Sequence, residues 1–193
     1  MEHQNLCNHR VKLVAVSEKS DGLIAKTLQS ILEHCGYSVT ADCDETACTD
    51  QKIEYLVASA AEYTKLPANT VPAVLILADF AHVTDYALNH AKDFIGCVMD
   101  YDAHIPSSAD YFTGCKILTY STSSDNADFT ARYIHTLDGE TAFEIVGVGV
   151  IGRVRLRHPD LVKASLIAAS AAISCGISFA DVLNALNNMK NSD

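Results

Sequence analysis

The sequence predicts an α/β fold of three layers: a mainly parallel β-sheet with helices on both faces, plus a small antiparallel sheet near the C-terminus. Three observations carry this. Short apolar runs alternate with helical stretches through residue 120, the pattern of strands buried between helices. A strand, loop and helix open the chain at 11–35, the frame found in Rossmann-like sheets of the P-loop type. Beyond residue 126 apolar and polar residues alternate instead, which suits antiparallel strands.

The elements follow in order. The first strand is expected at 11–16, an apolar run broken only by Lys12. The first helix covers 23–35, with Leu28, Ile31 and Leu32 on one face and Gly36 ending it. A strand at 37–40 comes next, then apolar runs at 54–59, 73–78 and 96–99 short enough for strands buried on both faces. Helical material, 86–94 included, lies between them, and the polar stretches 42–51 and 121–126 read as surface loops. A strand at 116–120 leads into the antiparallel region, 127–137 and 141–156. There Gly147, Gly149 and Gly152 mark hairpin turns and bulges, because no helix start follows at the spacing of a dinucleotide fingerprint. Pro159 opens an alanine-rich helix through Ser174, Gly176 stops it, and Ser178 with Asp181 caps a last helix ending near Met189.

The 193 residues, 49% hydrophobic and 20% charged, suit an N-terminal tail at 1–10 and a single domain at 11–193. A formal net charge of −10 repels a nucleic-acid backbone over most of the surface. No apolar run is long enough to span a bilayer, and Met1-Glu2-His3 lacks the basic start of a secretion signal. A cytoplasmic protein with neither a nucleic-acid nor a membrane partner is expected. The seven cysteines are an odd, scattered set, so free thiols are expected. His3, Cys7, His9, Cys43 and Cys48 match no compact zinc spacing.

Several residues carry chemistry. Between the first strand and helix, Ser17-Glu18-Lys19-Ser20-Asp21-Gly22 stands where a phosphate-binding loop would stand, with one glycine, at its end, and one lysine, early in the loop. Asp79, His82 and Asp85 follow the strand at 73–78, at the edge where open α/β sheets bind ligands. Asp100 and Asp102 end another strand there and suit a hard cation held through water. Arg153, Arg155 and Arg157, beside His158, alternate along one strand and share a face, a patch for an anion or an acidic partner. Ordinary solvation and surface ion pairs remain the plainer account of each cluster.

In the order of these features the chain resembles the central, ATP-binding domain of the Mur ligases, which join amino acids to peptidoglycan precursors. The resemblance rests on the loop position at 13–22, the helix end Ile31-Leu32-Glu33-His34-Cys35-Gly36-Tyr37, and Ala78-Asp79-Phe80-Ala81-His82-Val83-Thr84-Asp85. His90-Ala91-Lys92-Asp93, Val98-Met99-Asp100-Tyr101-Asp102, Lys116-Ile117-Leu118-Thr119-Tyr120 and the closing helix to Cys175-Gly176-Ile177 extend it. It implies a nucleotide-loop position at Ser17, Lys19, Ser20, Asp21 and Gly22, a magnesium-associated place for His82 beside Asp79, and in Lys92 the lysine that the family carbamylates. ATP and magnesium follow from the resemblance alone; the residues themselves call for no cofactor.

The departures are informative. Ser20-Asp21-Gly22 replaces the family's Gly-Lys-Thr/Ser, putting a carboxylate where the phosphate cation stands. Val57-Ala58-Ser59-Ala60 lacks the magnesium-binding Glu, Ala81-His82 replaces Asp-His, and Leu161 and Ala164 fall where the family carries asparagines. The family's UDP-sugar and amino-acid domains are also expected to be missing. Three functions are consistent with this: a catalytically degenerate binding or interaction module with a protein partner or small ligand, an ATP-dependent amide ligase component completed by other chains, and a small-molecule binder at the former nucleotide crevice. The altered loop favours the first, with no catalytic residue assigned.

Overall fold

The computed structural model describes residues 10–18, 22–41, 52–61, 68–79, 85–103 and 109–189. Its centre is one nine-stranded sheet. The strands are β1 (Val11–Ser17), β2 (Val39–Thr40), β3 (Tyr55–Ser59), β4 (Thr70–Leu77), β5 (Gly96–Asp100), β6 (Lys116–Ser121), β7 (Phe129–Leu137), β8 (Glu140–Gly147) and β9 (Val150–Leu156). Their spatial order is β2-β3-β1-β4-β5-β6-β7-β8-β9. Pairing is parallel from β2 to β7 and antiparallel between β7, β8 and β9. The antiparallel part is therefore not a detached sheet. It continues the parallel one through two residue pairs, Tyr120 with Phe129 and Ser121 with Thr130.

Helices α1 (Leu23–His34), α3 (Leu161–Ser174) and α4 (Phe179–Asn188) pack on one face of the sheet. A short α2 (Asp85–Asn89) and two single-turn 3-10 segments, Ala91–Asp93 and Ala109–Phe112, contribute to the other. Period-two alternation divides β1 between these two cores: Val14 and Val16 join Leu28, Ile31 and Leu32, whereas Leu13 and Ala15 join Ala87, Phe94 and Phe112. The helical stretch expected at 86–94 is thus two short turns, and the strand expected at 37–40 shrinks to two residues. The loop expected at 42–51 lies outside the described residues.

Chain turns match their residues. Gly36 and Gly176 take φ of 88° and 93°, and each helix end closes with the paired backbone bonds of a Schellman motif, Tyr37 to Leu32 and Ile177 to Ala172 among them. Asp138 and Gly139, at φ 51° and 79°, make the two-residue β7–β8 turn. The small side chains of Ala168, Ala169, Ala171 and Ala172 are fully buried and let α3 approach the sheet, where Gly96 leaves room for Ser174. Gly152 does the same for Leu183 of α4. At the outer edge, Asn187 of α4 accepts a bond from the Arg155 N–H at 3.1 Å and donates to the Arg153 carbonyl at 3.0 Å, so its amide stands in for a missing strand. No helix among the described residues is long and apolar enough to cross a membrane.

Candidate functional site

The strand order changes direction at β1, which reaches β2 and β3 on one side and β4 on the other. Ligands of open α/β sheets bind outside the carboxyl ends of the strands at such a point. A crevice of about 420 Å³ opens there. Leu23 and Ile24 at the start of α1, Ala78 after β4, and Ala164 and Ile167 of α3 give it apolar walls. Glu18, Asp79 and Asp160 bring three carboxylates to it, and Lys163 brings one ammonium.

Glu18 is the residue whose role the sequence did not disclose. Its two carboxylate oxygens accept the backbone N–H groups of Ile24 at 2.8 Å and Ala25 at 2.9 Å. These are second- and third-position donors of α1, which have no partner inside the helix. Gly22, at the cap position with φ 62°, provides no side-chain cap of its own. A carboxylate suits the place on charge as well, because the helix dipole is positive there.

The other loop positions separate. Ser17, expected in the nucleotide loop, is instead the buried last residue of β1. Its carbonyl accepts the N–H groups of Ala78 and Asp79 at 3.0 and 3.2 Å, and its hydroxyl donates to the Asp79 carbonyl at 3.2 Å. It ties the ends of β1 and β4 together and has no free hydroxyl for a phosphate. Lys19, Ser20 and Asp21 lie outside the described residues, as does His82.

Asp79 does stand at the carboxyl edge, lining the crevice. Lys92 does not join it. It is exposed in the turn Ala91–Asp93, just before Ile95, whose N–H pairs with the Ala73 carbonyl near the start of β4. That is the amino-terminal edge, so Asp79 and Lys92 lie at opposite ends of the sheet and share no metal site. Among the described residues no group of three His, Cys, Asp or Glu side chains is placed to hold a metal ion. Asp100 and Asp102 are also engaged: Asp100 pairs with Lys163 at 3.2 Å and accepts the Asp102 N–H at 3.1 Å, and Ser123 donates to Asp102 at 3.4 Å.

Near Lys163, on β6, stands Tyr120. Its side chain is fully buried, its hydroxyl has no hydrogen-bond partner among the described residues, and Lys163 Nζ lies 5.9 Å from its ring centroid. Burial first, then the negative charges of Asp100 and Asp79, push its ionisation far above the ordinary range.

The arginines lie elsewhere. Arg153 and Arg155 of β9, and Arg157 just beyond it, are all exposed between the buried Val154 and Leu156. Arg153 and Arg155 border a hollow of about 480 Å³ with His135 and Ala142. Glu144 balances Arg153 at 3.0 Å, so part of that positive charge is already matched.

No family model and no curated protein sequence matches the chain. Solved structures do match it in fold. A UDP-N-acetylmuramoyl-L-alanyl-D-glutamate–2,6-diaminopimelate ligase superposes with a TM-score of 0.65 at 16% identity, over 93% of this chain and 46% of that one. The UDP-N-acetylmuramate-alanine ligase MurC of Thermotoga maritima gives 0.66 at 14% identity, over 94% and 45%. The MurF ligase of the same organism, solved in complex with ADP, gives 0.61 at 13% identity, over 90% and 48%. The chain therefore has a Mur ligase fold and spans a little under half the length of these ligases.

Proposed function

We propose that this chain is a catalytically degenerate counterpart of the Mur ligase central domain and works as a binding or interaction module, with the carboxyl-edge crevice as its binding feature. One observation carries the reading: the Glu18 carboxylate on the N–H groups of Ile24 and Ala25. A phosphate-binding loop presents such donors, at the start of the helix after the first strand, to the phosphates of its nucleotide. Here a fixed negative charge from the same chain takes them. A triphosphate entering the crevice would meet that charge in place of donors, with Ala164 and Ile167 lining the α3 side.

ATP and magnesium accordingly do not fit the residues described, and no phosphoryl-transfer step is drawn through them. The electrostatic stabilisation that such a transfer needs has no counterpart among these side chains. Isothermal titration of magnesium-ATP at physiological salt tests the reading. No saturable heat is expected. Saturable binding in the micromolar range would overturn it and favour the ligase component completed by other chains.

A further inference from the structure

We infer that two copies of this chain associate face to face through the outer side of the antiparallel strands β7, β8 and β9. That surface shares no lining residue with the carboxyl-edge crevice, so nothing here depends on what the crevice holds. Strand register fixes its make-up. Phe143, Ile145, Val154 and Leu156 turn one side of these strands into the core under α3 and α4, and the side chains between them point the other way. Val146 is registered with Ile151, Glu144 with Arg153, Ala142 with both His135 and Arg155, and Glu140 with Leu137. Ile151, Arg153, Arg155, His135 and Leu137 are all exposed. Ala142, the smallest of the set, leaves the hollow of about 480 Å³ that His135 and Arg155 border.

Composition marks this side as one that binds protein. Residues 127–157 hold four of the chain's five arginines and none of its nine lysines. Arginine is enriched and lysine depleted at protein interfaces, because the planar guanidinium is the more weakly hydrated of the two. Five large apolar side chains are at least 69% exposed among the described residues, and Tyr133, Leu137, Val148 and Ile151 are four of them. Tyr133 is also held at φ 53° in the bulge between Arg132 and His135. A bulky side chain is rarely kept in the left-handed region, and at 72% exposure its own chain gives it little packing in return.

Charge decides for a second copy. Residues 127–157 contain four arginines and four carboxylates, so they are formally neutral and the rest of the chain carries the whole net charge of −10. Two copies therefore repel each other least across this side. The pattern is self-complementary as well: Arg155 and Asp138 line the same hollow, and neither has an ion-pair partner among the described residues. A two-fold axis lying between them sets each Arg155 against the partner's Asp138, closing two identical pairs. Three strands about 5 Å apart and about 25 Å long make a small patch, which places the dimer in the weak class.

Sedimentation equilibrium of the full chain under reducing conditions tests this between about 1 µM and about 1 mM, the span over which weak complexes form. The average mass is expected to rise from 20.8 kDa towards twice that value, without larger species. Arg155→Asp and Asp138→Arg should each lower the association constant about tenfold. An equimolar mixture of the two variants should recover it, since each then offers the charge that the other needs. Recovery on mixing is an outcome that a misfolded variant would not give. Ile151→Lys, at a position already 69% exposed, should weaken association as much with an unchanged melting temperature, and it keeps the test decisive if the turn rejects Asp138→Arg at φ 51°. A mass of 20.8 kDa at every concentration overturns the inference and leaves this side to a different protein. Association that Arg155→Asp and Ile151→Lys leave untouched overturns it too, because the copies then meet elsewhere, and charge variants that stay folded without recovering on mixing overturn the two-fold pairing.

Discussion

Glu18 does for α1 what a bound anion does in a phosphate-binding loop, and it does so permanently. Glu18→Ala leaves two helix donors without their acceptor and should cost about 1–2 kcal/mol, read as a lower urea midpoint at unchanged slope. Glu18→Gln, which keeps one oxygen as acceptor, should cost less. The sequence displayed the wrong loop chemistry but not this contact, because the contact depends on a backbone path that brings residue 18 back over residues 24 and 25. The thiols carry a second prediction. Burial pushes the Cys175 thiol up to about 12, and Cys97, 0% exposed, well above its ordinary 9.0. Each keeps its proton in the folded chain at a pH where the unfolded chain has lost it. That contribution to stability is whole below pH 9.0 and drains away as pH climbs towards about 12, so urea midpoints should fall across that window. At about pH 8 a disulfide reagent should label Cys97 only as fast as the chain opens.

Among the elements, the helix ends and caps were legible because their chemistry is local. Gly36 and Gly176 take the positive φ that their position requires, and Ser178 accepts the Asp181 N–H at 3.2 Å. Placement across the sheet was not legible. Lys92 sits in sequence beside residues of the carboxyl edge, yet the short turn at 91–93 returns the chain to the amino edge before β5 begins. Nothing in residue spacing distinguishes those two edges. The glycines of the antiparallel region read correctly as a turn at Gly149, but the reason for Gly152 is tertiary: any β-carbon there meets the Leu183 side chain. Gly152→Ala should therefore cost about 1–3 kcal/mol by overpacking the α4–β9 contact. Adding Leu183→Ala should recover part of that loss, and the double-mutant cycle from urea melts measures how much.

At the scale of the whole molecule, alternating strands and helices announced the architecture well enough for a resemblance to emerge from feature order, and solved ligases share the fold at 13–16% identity. What the order left out was continuity. The antiparallel strands join the parallel ones in one sheet, and α3 packs against strands from β4 to β8, bridging both parts. Unfolding should consequently be a single transition, with coincident curves from far-ultraviolet circular dichroism and tyrosine absorbance; two separated curves would mean that the antiparallel end melts alone. The far side of that sheet ends at Asn187. An outermost strand with open N–H and C=O groups is a template on which another chain can crystallise its own backbone, and growth of that kind needs no folded partner. Here the template is locked by one carboxamide anchored on a helix, which a second chain would have to evict, losing two bonds before it gained any. On the β9 side of the sheet, stacking edge on edge at high concentration is thus opposed by that carboxamide.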